Sequence, residues 1–412
     1  MDFDDTPEEA SFRAEARAWL DAHAPAKGSP EDFSQGYLEG TADVADHVAR
    51  AKAWQRTLFD HGWAGITWPR EYGGRGAGAV ESMIWGAEMA RYGVNVGPFA
   101  VGIGMAGPTI LRHGTDAQKE RFLVPMLKGE EMWCQLFSEP EAGSDLASLR
   151  TRAVPDGDEW VVTGQKVWTS GAEVADWGML LARTDLDATK RKGITYFLVD
   201  MATPGIERRP LRQMTGSSHF SEVFLDEVRI PADQVLGEVH QGWAVTATTL
   251  ANERGLIAGG NKASDAVALC ELAAKLGRGD DPALRQALVD CWIRQRIQAY
   301  HGYRLQTALS QGRQPGPETS IMKLFAAEYL RRLGAAALAT LGADGMRAGE
   351  GPGGGDWQAR FLHAPAIGIA GGSNEVQRNI IGERVLGLPR EAPADDVPFR
   401  ELVSGRRERA GA

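Results

Sequence analysis

At 412 residues, with 43% hydrophobic and 24% charged residues, the chain can bury a large core and has the composition of a globular protein of two or three domains. Its formal net charge of −10 excludes a general nucleic-acid binder, because phosphate contacts need clustered Lys and Arg, and the basic runs at 191–194 and 405–409 are too short. Cys134, Cys270 and Cys291 lack metal or redox spacing, the acidic start is unlike a signal peptide, and no apolar run reaches span length, so a cytoplasmic location without membrane insertion is expected.

Residues 1–130 read as a helical domain. "EEASFRAEARAWLDAHA", "VADHVARAKAWQRTLFDHG", "AVESMIWGAEMARYG" and "DAQKERFLVPMLKG" each repeat apolar residues at three- and four-residue spacing. A Gly/Pro-rich loop with two tryptophans, "GWAGITWPREYGGRGAG", parts the second from the third. "GIGMAG" at 102–107 matches G-x-G-x-x-G, yet helical segments flank it and Pro98 and Pro108 bracket it. A dinucleotide fingerprint needs a preceding strand and a βαβ unit, so these glycines read as permitting close helix packing.

From 131 to 237 the rhythm is that of a β domain: "EWVVTGQKVWTS", "WGMLLARTD", "ITYFLVD", "IERRPL" and "SEVFLDEVRI", punctuated by Pro204, Pro210 and Pro231. Before the strands lies "LFSEPEAGSDLASLRTRA" (136–153), whose amides and Ser138 and Ser144 hydroxyls suit a polar planar ligand and its phosphates. Trp168 in "KVWTSG" can lie against an aromatic ring, although a lone tryptophan is more often core than platform.

Helical patterns return from 238 to 395, with a flexible glycine loop expected at 349–357 and a tail at 396–412. The stretch "GIAGGSNEVQRNIIGERVLGLPR" (368–390) pairs a glycine turn at Gly371 and Gly372 with a helix that Ser373 or Asn374 can cap. Such a helix start suits a phosphate or a growing negative charge, but most capped helices bind nothing. There is no internal repeat, no P-loop and no hydrolase or metalloprotease motif, and the eight histidines lack ligand spacing, so no metal is expected. The fold class is α+β.

Taken in order, "GWAGITWPREYGG", "FSEPEAGSD", "TGQKVWTS", "FLDEVRIPADQVLGE", "GW" at 242–243, "NERG" and "GGSNEVQRNIIGERVLG" make the chain resemble the acyl-CoA dehydrogenase family from about residue 6 to 390. The resemblance implies an N-terminal helical domain, a middle β-barrel-like domain and a C-terminal four-helix bundle. FAD would lie between the last two, in a homotetramer built from dimers. It implies α,β-dehydrogenation of an acyl-CoA thioester, with electrons passed to electron-transfer flavoprotein. Phe137, Ser138, Gly143 and Ser144 would line the flavin and the CoA phosphate side, and Trp168, Thr169 and Ser170 would contact the isoalloxazine ring. Ser373 and Glu375 would reach FAD from the closing helix.

Most of the family carries its catalytic glutamate immediately before the glycine and hydroxy residue of the last motif, where this chain has Gly371. A minority, including long-chain and isovaleryl-type enzymes, places it on the first long helix after the β domain, just before an arginine. Glu253 and Arg254 match that arrangement, so the resemblance makes Glu253 the base, with Arg254 beside the substrate. Leu250, Leu256 and Ile257, at i−3, i+3 and i+4, put Glu253 on an apolar face, where desolvation raises a carboxylate pKa. A lone helix-edge Glu is usually solvated. Gly371 would still offer its N–H to the thioester oxygen.

Three departures accompany this. The family's Arg-x-x-Phe-Gly, which reaches FAD on a neighbouring subunit, is missing from "AKLGRGDDPALRQALV", leaving Arg278 and Gln286 as the nearest candidates. Its Gln-x-x-Gly-Gly loop reads "ATLGADG" at 339–345, which opens the possibility of a heteromer with a paralogous subunit. Glu141 replaces a usual glycine. Competing readings are a flavin oxidase or monooxygenase on the same fold, and a non-catalytic subunit supporting a partner.

Overall fold

Capping chemistry sets where the first helices start. The computed structural model describes residues 5–34, 43–259, 265–311, 313, 316–347, 356–390 and 397–403. In α1 (Pro7–His23), Thr6 Oγ1 accepts from the Glu9 amide at 3.2 Å while Glu9 Oε2 accepts from the Thr6 amide at 2.9 Å, with Pro7 opening the helix. α2 (Val44–Asp60), α3 (Ala79–Met89), α4 (Gly107–His113) and α5 (Asp116–Lys128) follow, and Thr115 and Gln118 cap α5 in the same way. Leu20, Trp54, Trp63, Trp85 and Phe99 bury together as their core. Residues 102–106 form a π-helical turn that runs into α4, with no strand before it among the described residues. Gly104 lies against Leu256 and Gly107 against the Trp68 ring, each so close that a Cβ would overlap. These are packing glycines, as the flanking pattern suggested.

Seven strands form one curled sheet: β1 (Trp133–Leu136), β2 (Arg152–Asp156), β3 (Glu159–Ser170), β4 (Trp177–Arg183), β5 (Ile194–Asp200), β6 (Ile206–Leu211) and β7 (Phe220–Pro231). Their order is β1-β4-β2-β3-β7-β6, with β5 also paired to β4. β1 joins β4 in parallel, whereas β3–β7, β6–β7 and β4–β5 are antiparallel. β4 and β5 do not alternate between buried and exposed residues. Six successive residues of each are buried, because helices cover one face and the rest of the sheet the other.

The C-terminal helices are α6 (Gly242–Gly259), α7 (Asp265–Lys275), α8 (Pro282–Ser310), α9 (Thr319–Leu341), α10 (Asp356–Ile367) and α11 (Asn374–Ile380). α9 is the centre of this region, packing against α6, α7, α8, α10 and α11. α6 packs in addition on β5 and α4. Thr249 Oγ1 meets Tyr196 OH at 3.1 Å and Thr109 Oγ1 at 3.0 Å. Most of the glycine loop at 349–357 lies outside the described residues, as does the basic run at 405–409. The described part of the expected tail is docked: Phe399 is 3% exposed, with the Arg183 guanidinium 3.8 Å from its ring centroid. No helix among the described residues is long and apolar enough to cross a membrane.

Candidate active site

Two motif segments are locked together by a buried ion pair. Lys166 on β3, 0% exposed, donates to Glu139 Oε1 at 2.7 Å and to the Phe137 carbonyl at 3.2 Å. Glu139 accepts in addition from the amides of Arg150 (2.6 Å) and Thr151 (2.9 Å). Burial works against its charge, yet Lys166 and these donors hold its carboxyl below the ordinary value. The Val167 amide then donates to the Ser138 carbonyl at 2.9 Å, so the "FSEPEAGSD" loop and "KVWTS" strand form one rigid shelf.

On that shelf Trp168 interrupts the β3–β7 register between Lys166 and Thr169, with φ +61°. This left-handed conformation is costly for a bulky residue, and strain of this kind collects at functional sites. Its side chain is 60% exposed, so Trp168 is not core. Beside it Thr169 is buried, and its Oγ1 has no hydrogen-bond partner among the described residues. Ser170, Gly143 and Ser144 are exposed, Phe137 is buried against Tyr196, and Ser138 is half-buried. Glu141, the unusual residue of the loop, pairs with Arg150 at 2.7 Å.

The second part of the site comes from α6 and α11. Glu253 is partly buried, and Gln135 Nε2 on β1 donates to its Oε2 at 3.4 Å. Burial raises the Glu253 pKa above the ordinary value, partly offset by Gln135, Arg254, the facing Gly371 amide and Lys323. The expected apolar face is only part of its setting. Leu250 packs into the core, but Leu256 is 41% exposed, and the Ile257 side chain lies outside the described residues. Polar groups from three other elements complete the surroundings.

Gly371 and Gly372 have φ of +64° and +88°, the left-handed turn that glycine permits. Ser373 caps α11, its Oγ accepting from the Val376 amide at 3.3 Å. Glu375 is exposed and pairs with Arg378 at 3.3 Å. Arg278 and Gln286 do not join this group within the chain. Arg278 donates to the Ala339 and Thr340 carbonyls at the end of α9, at 2.6 and 3.0 Å, and Gln286 is exposed on α8. Sequence reasoning missed Gln135, Lys166, Glu139, Lys323 and Gln377. Lys323 carried a signal: Ser320 and Ala327, its i−3 and i+4 neighbours, lie on the buried face of α9. Among the described residues no group of three or more His, Cys, Asp or Glu could hold a metal.

The chain thus joins a helical N-terminal region, a curled sheet with a strained, exposed Trp168 and a helical C-terminal region carrying the partly buried Glu253. Three family descriptions match in order: "Acyl-CoA dehydrogenase, N-terminal domain" over residues 6–130, "middle domain" over 134–228 and "C-terminal domain" over 240–386. The chain belongs to the acyl-CoA dehydrogenase family and is an oxidoreductase of that family. It is 40% identical over 385 residues to acyl-CoA dehydrogenase IpdE1 of Mycobacterium tuberculosis, covering 92% of this chain and 98% of the relative. It is 45% identical over 340 residues to acyl-CoA dehydrogenase FadE34 of the same organism, covering 82% of this chain but 46% of that longer protein. A solved structure described as the Tcur3481-Tcur3483 steroid ACAD superposes with a TM-score of 0.81 at 30% identity, over 95% of this chain and 100% of that one. The ChsE4-ChsE5 complex from Mycobacterium tuberculosis gives 0.79 at 28% identity, over 95% and 100%.

Proposed function

We propose that this chain catalyses FAD-dependent α,β-dehydrogenation of an acyl-CoA thioester to the trans-2-enoyl-CoA, with Glu253 as the base for the α proton. The observation that carries the reading is the partly buried Glu253 carboxylate facing the Gly371 amide. The Gly371 N–H donates to the thioester oxygen, which acidifies the α C–H and supports the charge that grows on that oxygen. Glu253 takes the proton at its carboxylate, and burial makes it a stronger base than an exposed glutamate. Arg254 and Gln135 keep it ionised and in place.

The residues present fit FAD, the cofactor of the family. The open Trp168 indole offers a face, and the unpartnered Thr169 Oγ1 offers a hydrogen bond. Phe137, Ser138, Gly143, Ser144, Ser170, Ser373 and Glu375 complete the set that would hold it. Bound there, FAD would supply the hydride acceptor for the β hydrogen. Electron-transfer flavoprotein is the acceptor in this reading, and ring-bearing acyl groups are the first substrates to test, given the steroid in the description of the Tcur3481-Tcur3483 structure. Val289, Trp292, Ile293 and Tyr300 on α8, each 45–50% exposed, support burial against another subunit. The two-part names of both solved relatives favour a paralogous subunit there.

The test is an anaerobic screen of straight, branched and ring-bearing acyl-CoA thioesters for flavin bleaching, with oxygen uptake and dye reduction measured in parallel. Bleaching coupled to dye supports a dehydrogenase. A colourless protein that cannot be reconstituted with FAD overturns the reading, and rapid oxygen consumption moves it to an oxidase.

A further inference from the structure

Lys323 on α9 is 0% exposed, yet its hydrogen bonds go to neutral oxygens: the Gly372 carbonyl at 2.7 Å and Asn374 Oδ1 at 3.5 Å. Among the described residues no carboxylate pairs with it directly; the acids that face it are Glu253 and Glu375. A buried cation without a contacting anion is expensive, and burial pushes the Lys323 pKa down. A methionine would fill such a place at lower cost. Gln377, 1% exposed, approaches the same turn from α11, its Nε2 donating to the Gly371 carbonyl at 3.0 Å and to the Gly372 carbonyl at 3.2 Å. Both carbonyls of the two-glycine turn are therefore tied to buried donors. Fixing those carbonyls fixes the 371–372 and 372–373 peptide planes, and so holds the left-handed turn at whose first residue, φ +64°, the Gly371 N–H stands.

Resting on the reading of Glu253 and Gly371 given above, we infer that Lys323 is a positioning residue for the reaction. It clamps the glycine turn so that the Gly371 N–H meets the thioester oxygen, and its charge lies behind that donor as the oxygen becomes enolate-like. When Glu253 takes the α proton, the C–H electron pair moves into the Cα–C bond and the carbonyl π pair moves to the oxygen. Negative charge thus leaves Glu253 and arrives at the end of the site that Lys323 backs. A preorganised donor of this kind contributes in the transition state more than in ground-state binding. Gln377 is the lesser half of the clamp, being neutral.

The experiment uses the full-length FAD-loaded protein and two variants, Lys323→Met and Lys323→Gln; the second keeps a donor and removes the charge. Three quantities are read: the anaerobic rate of flavin reduction by the best acyl-CoA of the panel, the Kd of that acyl-CoA, and the fraction of bound acetoacetyl-CoA present as its enolate. The enolate readout needs no base from the protein, so it separates Lys323 from Glu253. Lys323→Met should slow reduction by ~10²-fold and Lys323→Gln by ~10-fold, the range for losing an oxyanion donor, with Kd changed less than about 3-fold. The enolate fraction should fall in both and stay at the parent level in Glu253→Gln. Parent-like rates and enolate fraction in either folded variant would overturn the inference, as would Kd rising in step with the lost rate, or loss of FAD from both. If the unmodified protein itself neither holds FAD nor is bleached by any acyl-CoA, the fault lies with the proposed function.

Discussion

Replacing Glu139 by alanine strips the shelf that carries Trp168 of its internal anion. Lys166, 0% exposed, is left charged without a carboxylate, and the amides of Arg150 and Thr151 lose their acceptor. Breaking a buried pair from one side costs about 3–5 kcal/mol. Arg150 is exposed, so water replaces that bond, but Thr151 is 1% exposed, and its orphaned amide adds about 1–3 kcal/mol. The sum is roughly 4–8 kcal/mol, which at about 2 °C per kcal/mol for a large domain lowers Tm by roughly 8–16 °C. Lys166→Met should cost less, because Glu139 keeps two backbone donors. The double variant Glu139→Gln/Lys166→Met should be less damaged than the sum of its parts. Thermal melts followed by flavin and tryptophan fluorescence together are the assay, and flavin release should precede global unfolding. If Glu139→Ala melts within about 2 °C of the parent and keeps a full complement of FAD, the shelf does not depend on this pair as described.

Glu253→Gln should retain FAD and acyl-CoA binding but reduce flavin at least ~10²-fold more slowly, and adding Gly371→Glu should restore part of the rate. In the proposed reaction Glu253 works ionised, and its folded-state pKa is raised, so the acid limb of the flavin-reduction profile should lie above the ordinary carboxylate value of 4.5; Gln135→Leu should move that limb further up. An unchanged profile in Gln135→Leu would remove Gln135 from the site. On α3, burial opposes ionisation of Glu88, but Arg17, Arg13 and Arg91 hold its carboxyl down to about 2. A depressed carboxylate gives stability that is complete above 4.5 and lost as pH falls toward about 2, so acid unfolding should follow that window and flatten in Glu88→Gln.

The long helices were legible because periodicity and caps coincide, as at Thr6–Glu9 and Thr115–Gln118. β1 and β2 were hidden: "WCQL" is four residues running into a loop-like motif, and "RAVPD" contains a proline. The place of Glu253 on α6 could be read locally, but its meeting with Gly371 needs a fold in which α6 and α11 both pack on α9. Only the family pattern supplied that juxtaposition. Trp168 could not be told from core by spacing, since its exposure follows from a backbone angle, not from residue type. Gln135 and Gln377 are polar residues beside apolar ones, a pattern too common to single them out.

The double contact of Thr249 bears on how the molecule becomes competent. One hydroxyl on α6 touches Tyr196 in the sheet and Thr109 in the N-terminal helices, and α6 starts at Gly242, where a Cβ would come within 2.7 Å of the Tyr196 amide nitrogen. The helix that carries Glu253 therefore takes its final height and rotation only against two finished neighbours. During folding, a chain with any one region still open can hold secondary structure while its carboxylate stands out of line, and errors of about 1 Å at a reacting centre cost ~10²-fold. Return of activity on refolding thus reports the docking of all three regions at once, and it should trail the return of helix and sheet.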